Sequence, residues 1–555
     1  MLWWSIAALT GILYLVKRPP ALRFRADWVV WIAWAGVAAL LTLTAVTAAF
    51  SPPNSADAMA YHMPRVIYWA EQASVRFFPT PYFNQIMLQP MAEYAMLHTY
   101  LLSGGDRFVN FVQWFASLVS IVGVAAVARE MGANPRGQAL AALFCATLPT
   151  GILASSGAKN DYLLAMWLVL AVYFAMGSEG WLMGCALGLA LLTKATAYLF
   201  APWVLAAAFV IRRRKRWMVQ AGLAAAIPLA LSAPQYIRNY ELSGSILGFD
   251  SAQGDGFFRW RNETFGWRQT ASNVLRNASD QMGGREASWN DGVYRFVLAA
   301  HRWIGIGVND PDTTWRWSTF GPPVNANHEA NAPNRLHLIV LLLIVCCSVR
   351  WPNVLYALAL GCAFAAFCAY LKWQPFFARL LLPLFVLGAP LVSAIGGRTL
   401  LSAGLCVLLL SESRHAVLEN WARPLKGPNS VLHVPRDTQY FADMSQWDNR
   451  GSYLKTVELL KPMHCGTVGI DIANLQLEYP LQALLREADP SVQFVHTGVQ
   501  NASSRYPPPV AAKPCAVVCL DCLGDAKRMA LYRNFENTAE TGKFVIFYGR
   551  ASDHK

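Results

Sequence analysis

WVVWIAWAGVAALLTLTAVTAAFSPPNSADAMAYHMPR, residues 28–65, decides what kind of protein this is. Residues 28–50 hold no charged side chain, and about 20 such residues cross a bilayer. The run stops at Phe50, and within a few positions Asp57, Tyr61, His62 and Arg65 follow. An acid, a phenol, an imidazole and a guanidinium therefore sit just where the chain leaves the membrane.

The rest of the chain repeats the pattern. Of 555 residues, 55% are hydrophobic and 14% charged, against about 25% charged in soluble domains. This deficit predicts an integral membrane protein, mainly α-helical, with about 12 transmembrane helices. The spans are expected near 1–16, 28–50, 108–128, 137–156, 161–177, 180–193, 196–211, 217–234, 336–350, 353–371, 379–396 and 398–411. The first is read as a span rather than a signal peptide, because "VKRPP" and no small-residue cleavage site follows it. A formal charge of +13 does not argue for nucleic acid; in a membrane protein the position of the charge is what counts.

Five basic stretches fall in alternate connections: "KRPPALRFR" at 17–25, Arg129 with Arg136, "RRRKR" at 212–216, Arg350 and Arg398. The positive-inside rule assigns them to the cytoplasm. Residues 51–107, the Asn160–Asp161 turn, the Thr193–Thr196 turn, the loop at 235–335, residues 372–378 and the tail from 412 are then expected outside. The tail alternates strand-like runs ("GTVGIDI", "SVQFVHTGV", "CAVVCL", "KFVIFYG") with helix-like ones ("LQLEYPLQALLREA", "DAKRMALYRNF"). It predicts a small extracytoplasmic α/β domain, 412–555, joined through a linker "LKGPNSVLHVPRD" to a membrane domain, 1–411. Seven of the eleven cysteines lie in apolar spans; Cys465, Cys515, Cys519 and Cys522 lie in the tail, where an outside location favours disulfides over zinc.

Chemistry concentrates at the outer rim. Residues 57–75 and 84–102 read as two helices, with Met59, Val66, Ile67 and Trp69 favouring a helix on the membrane surface and Pro64 kinking it. Asp57 as a helix cap and Glu93 as a solvated acid are the bland alternatives. Lys194, in "LLTKATAYLF", costs on the order of 3 kcal/mol at a span centre and so belongs at a rim or with an anion. Arg238 and Arg379 stand where other spans meet the outside, with Lys372 near the latter. Three cations at three rims can converge on one anionic headgroup, for which arginine's planar fork is suited. "SSGAKND" places Lys159 and Asp161 at a hairpin end, where Asn160–Asp161 could cap the next helix. "NHEANAPNRLHLIV" offers His328, Glu329 and His337, read as hydrogen-bonding groups rather than a metal site.

The order of these pieces resembles the bacterial members of the GT-C glycosyltransferase superfamily, whose relatives include protein O-mannosyltransferases and lipid A aminoarabinose transferases. "DAMAYHMPRVIYW", "LLTKATAYLF" and "PQYIRNY" carry the resemblance, which spans about residues 28–411 and leaves the tail uncovered. The family's acids often form an adjacent pair; here Ala58 follows Asp57, and Glu93 takes the second place. The resemblance implies transfer of a sugar from a polyprenyl-phosphate donor to a glycan, lipid or protein acceptor, on the periplasmic side of a bacterial inner membrane. In that reading Asp57 is the base of an inverting displacement, with Glu93 as the second catalytic acid. Lys194, Arg238 and Arg379 bind the donor phosphate. Tyr61, His62, Arg65, Asp161, His328 and Glu329 orient acceptor or sugar. No cofactor is required, since cations can neutralise one phosphate, and no metal ligand is assigned. The rival expectations are a polysaccharide ligase or polymerase using a lipid-diphosphate donor, and a lipid or sugar transporter.

Overall fold

The computed structural model describes residues 27–212, 217–247, 260–348, 350–443, 449–473, 476–520 and 522–550. The expected span at 1–16 and the basic stretch at 17–25 lie outside the described residues. Each expected span from residue 28 onward meets a helix or a helix pair. Five helical segments are long and apolar enough to cross a membrane: Trp28–Phe50, Phe111–Glu130, Trp351–Tyr370, Phe377–Ile395 and Thr399–Leu418. A sixth is Pro135–Ala146 with Pro149–Ser155, bent by 66° where Thr147 and Leu148 separate them. Asp161–Gly177, Gly180–Thr193, Ala197–Ile211 and Arg335–Cys347 are apolar but shorter. The chain is a multi-pass membrane protein; among the described residues, five segments, or six with the bent pair, are long and apolar enough to span by themselves, and shorter helices meet the other expected spans.

The alternation of loops holds in three dimensions. At one end Arg136 pairs with Asp27 at 2.7 Å and donates to the Gly396 carbonyl, and Arg212 pairs with Glu130 at 3.0 Å. At the other end the loops assigned outside bind one another, as in Lys159–Glu329 at 2.5 Å and Lys372–Glu263 at 2.9 Å. Helix Gly180–Thr193, which delivers Lys194 to this second end, lies tight against Trp217–Ser243. A Cβ at Gly184 would stand 2.7 Å from the Leu223 carbonyl and one at Gly188 would stand 3.0 Å from Pro228 Cα. The Gly-x-x-x-Gly spacing is what lets these backbones approach.

The tail holds a five-stranded sheet: β1 Thr467–Asp471, β2 Gln493–His496, β3 Ala516–Leu520, β4 Phe535–Thr541 and β5 Phe544–Arg550. The order is β2-β1-β3-β5-β4, with β1 parallel to β2 and β3, and β5 antiparallel to β3 and β4. Helix Tyr479–Ala488 makes the crossover from β1 to β2. The expected strands are all present; β4 was not expected, because its central residues are polar and mostly exposed, as suits a sheet edge. Cys465 bonds Cys515 and Cys519 bonds Cys522.

Three features differ from expectation. Helix Thr399–Leu418 continues past 411, because its last turns are polar and a His415–Glu419 pair supports them. The expected linker is a packed turn: Gln439 donates to the Val431 and Val434 carbonyls, and Val431 is buried. Met59, Val66, Ile67 and Trp69 do not face lipid. All four are buried, since the tail domain covers this loop through Glu478, which accepts from Tyr68 and Gln85 and pairs with His496.

Candidate active site

The stretch after Phe50 turns at two prolines and begins a helix whose cap is Ser55, not Asp57. Ser55 Oγ accepts from the Ala58 amide at 3.2 Å, while Asp57 makes no capping bond. Residues Ala58–His62 form a π-helical turn before the α-helix Met63–Glu71. Pro64 is the cause: it has no N–H for the carbonyl of Ala60, which instead accepts from Gln85 Nε2 at 3.0 Å. Released from capping, the Asp57 carboxylate reaches Arg379 Nη1 at 2.5 Å. Arg379 comes from the short 3-10 turn Phe377–Leu381, which opens the Phe377–Ile395 segment.

A second pair stands beside the first. Asp161 opens helix Asp161–Gly177, Lys194 closes helix Gly180–Thr193, and the hairpin between them brings the side chains to 2.5 Å. Neither Asn160 nor Asp161 caps its helix. Asn160 Oδ1 accepts from Lys194 at 3.0 Å, and Gln113 takes the Tyr162 amide at 2.6 Å. Asp57 and Arg379 are 25% and 17% exposed, and Lys194 is 20% exposed, so a ligand can reach three of the four. Burial alone pushes the Asp57 carboxyl up, but Arg379, Lys159 and His62 outweigh it and hold the group well below the usual carboxylate range. Tyr61, packed on His62 and edge-on to Tyr82, has its hydroxyl beside Asp57; burial first, then that carboxylate, raise it far above an ordinary phenol.

Five other expected site residues, His62, Arg65, Glu93, His328 and Glu329, fall in two buried clusters. Glu93 is fully buried, with Oε1 at 2.9 Å from His62 Nδ1 and 3.3 Å from Arg65 Nη1. Arg65 also donates to the Ile86 and Leu88 carbonyls and lies over the Trp69 ring. The expectation is that Glu93 and Arg65 face the substrate; the structure places both in the interior, where Arg65 braces the turn between Asn84–Met87 and Met91–Ser103. Glu329 is likewise buried, between Lys159 and Arg423. Gly157 fits closely there: a Cβ would stand 3.1 Å from both Arg423 Nη2 and Glu329 Oε2, so those side chains would have to give by a few tenths of an ångström. His328 bonds Asp443 at 3.1 Å, and Asp443 also accepts from the Ala56 amide at 2.9 Å, one residue before Asp57.

Arg238 stands apart from the paired acids. It donates to the Val75 carbonyl at 2.8 Å and to Gln235, and lies over Phe77. Sequence reasoning missed Arg423, Asn54 and Asp443, which tie the tail's lead-in to the turn before Asp57. Arg423 Nη1 donates to Asn54 Oδ1 at 2.9 Å. No motif marks these residues, and only their burial makes them informative. Among the described residues, the one group with metal-ligand spacing is Asp471, Cys519 and Cys522, in the tail. There the cysteines are bonded together and Asp471 is taken by Arg528 and Tyr532.

Residues 89–237 match the sequence model of the dolichyl-phosphate-mannose-protein mannosyltransferase family. None of the curated proteins matches the chain by sequence. In fold, the chain is similar to ArnT from Cupriavidus metallidurans bound to undecaprenyl phosphate, with TM-score 0.50, 13% identity, and coverage of 93% of this chain and 98% of that one. It also aligns with the Archaeoglobus fulgidus oligosaccharyltransferase tethered to an acceptor peptide, at TM-score 0.44 and 14% identity, covering 85% of this chain and 64% of the other.

Proposed function

We propose that this membrane protein, which its family match and its fold support as a glycosyltransferase of the GT-C superfamily, transfers a sugar from a polyprenyl-phosphate donor to an acceptor hydroxyl. The observation that carries the reading is the pair of half-open ion pairs, Asp57–Arg379 and Asp161–Lys194, at one rim of the helical bundle. Asp57 takes the acceptor O–H proton as general base. The acceptor oxygen attacks the anomeric carbon from the face opposite the phosphate, so the configuration inverts. The bond from that carbon to the phosphate oxygen breaks, and its electron pair leaves with the lipid phosphate. Arg379 and Lys194 neutralise the leaving group, and with two cations in place no metal ion is needed. Arg238, at the same rim, contributes at longer range to drawing in the headgroup.

The reaction takes place on the periplasmic side of a bacterial inner membrane. Two tail disulfides favour an oxidising compartment, and the tail packs directly on the loop that carries Asp57. Purified protein in nanodiscs, given a labelled polyprenyl-phosphate sugar, should release labelled product. Polyprenyl monophosphate should compete better than the diphosphate. A preference for diphosphate would replace this reading with the ligase or polymerase alternative, and near-parental turnover by Asp57→Asn would remove Asp57 as base.

A further inference from the structure

The base of the proposed reaction is held in an arrangement that weakens it. Asp57 Oδ2 lies 2.5 Å from Arg379 Nη1, and the groups that face it are nearly all positive or neutral. Arg379 comes from the Phe377–Leu381 turn, Lys159 from the turn before Asp161, Lys194 from the end of Gly180–Thr193, and His62 and Tyr61 from its own helix; Asp161, which shares Arg379 and Lys194, is the neighbouring acid. A carboxylate that shares a guanidinium proton so closely gives up its affinity for any other proton. An acceptor hydroxyl arriving at this state would meet a poor base.

The donor brings the remedy, because its phosphodiester needs the same cation. Arg379 commits one terminal nitrogen to Asp57, while its Nε is buried with no hydrogen-bond partner. A guanidinium binds phosphate best through two parallel N–H donors. The second donor is thus already present and unused at a rim where the headgroup must lie. Turning to the phosphate removes the chief positive charge from Asp57 and places a new negative charge near it. Both changes raise its affinity for a proton.

We propose that Arg379 passes from Asp57 to the donor phosphate when the donor binds, so that the base becomes competent only in the donor complex and the donor precedes the acceptor. This rests on the donor class and base assigned above. It adds a positioning role for Arg379, which acts on the acceptor proton only through Asp57.

The test uses the full-length protein in nanodiscs and a membrane-soluble carbodiimide, which attacks protonated carboxyl groups. Labelling of the peptide containing Asp57 is read by mass spectrometry at pH 5. Undecaprenyl phosphate is the probe, and undecaprenol of the same chain length controls for shielding by the tail. Undecaprenyl phosphate should raise labelling of Asp57 about tenfold over undecaprenol, the size of a one-unit rise in pKa. Equal or lower labelling overturns the transfer of Arg379. In Arg379→Gln, Asp57 should label rapidly without any lipid; slow labelling in that folded variant also overturns it. Failures separate cleanly. If Asp57→Asn is inactive but labelling ignores the lipid phosphate, only the transfer of Arg379 falls. If undecaprenyl phosphate fails to bind, or if Asp57→Asn turns over normally, the underlying function falls instead.

Discussion

Two acids of the 51–107 loop, Asp57 and Glu93, look alike in sequence and differ in access. Each is a single carboxylate in an apolar stretch. Asp57 is one-quarter exposed and pairs with one arginine across the mouth of the site. Glu93 is sealed, and shares its oxygen between His62 and Arg65. For both, burial raises the carboxyl and neighbouring cations more than reverse it, so the electrostatics point the same way. Access separates them. A charge a ligand can reach can change partners during a reaction, whereas a sealed one can only hold structure.

The comparison breaks most sharply on a paired substitution. Asp57→Asn keeps shape and, at a pair open to water, should cost less stability than the sealed site, while transfer falls by on the order of a hundredfold or more. Glu93→Gln should do the reverse. It leaves Arg65 buried without its counter-charge, which costs on the order of 3 kcal/mol of stability, and turnover per folded molecule should fall much less. Activity and melting measured together on both variants decide it; a stable, inactive Glu93→Gln would place Glu93 back among the catalytic groups.

A smaller effect is expected at Arg379. Arg379→Lys retains charge but loses the fork, so the donor KM should rise roughly tenfold, about one charge-assisted hydrogen bond of ~1.5 kcal/mol. An unchanged donor KM would show that the fork is not used. Smaller again is Arg238→Ala, expected to weaken donor use only a few-fold. Its guanidinium is partly exposed and already bonded to Val75 and Gln235, and such exposed charges contribute little.

The tail interface sharpens the same contrast through pH. Burial pushes the Glu71 carboxyl up to about 8, against the pull of Arg486 at 2.7 Å and the Phe494 amide. A carboxyl that holds its proton more tightly folded than unfolded stabilises below its unfolded pKa, near 4.5, and that stability is lost as pH rises toward 8. Docking of the tail, followed by protease resistance of the 51–107 loop, should therefore weaken over this window. Glu71→Gln should flatten the dependence; an unaltered slope would assign it to other groups.

Much of the architecture was legible in the amino-acid order. Uncharged runs placed helices from Trp28–Phe50 to Thr399–Leu418, since transfer of apolar residues out of water sums locally along the chain. Basic loops in alternate connections sorted the two ends of the bundle, and short apolar alternations located four of the five tail strands. Candidate chemistry was legible as residue types at rims: Asp57, Asp161, Lys194 and Arg379 were all named from position and cost. Which acid meets which cation was not legible. Asp57 and Arg379 stand far apart in the chain, and no local period links them. Nor could the order of residues separate an open acid from a sealed one. Glu93 is closed off by packing against the separate helical turn that carries His62 and Arg65, and Asp57 is freed from capping by Ser55 and a proline-driven π turn. Hydrophobic spacing and loop charge are properties of a segment, and the sequence alone determined what they govern. Ion pairing and access are properties of surfaces brought together by packing, and only the tertiary structure decided those.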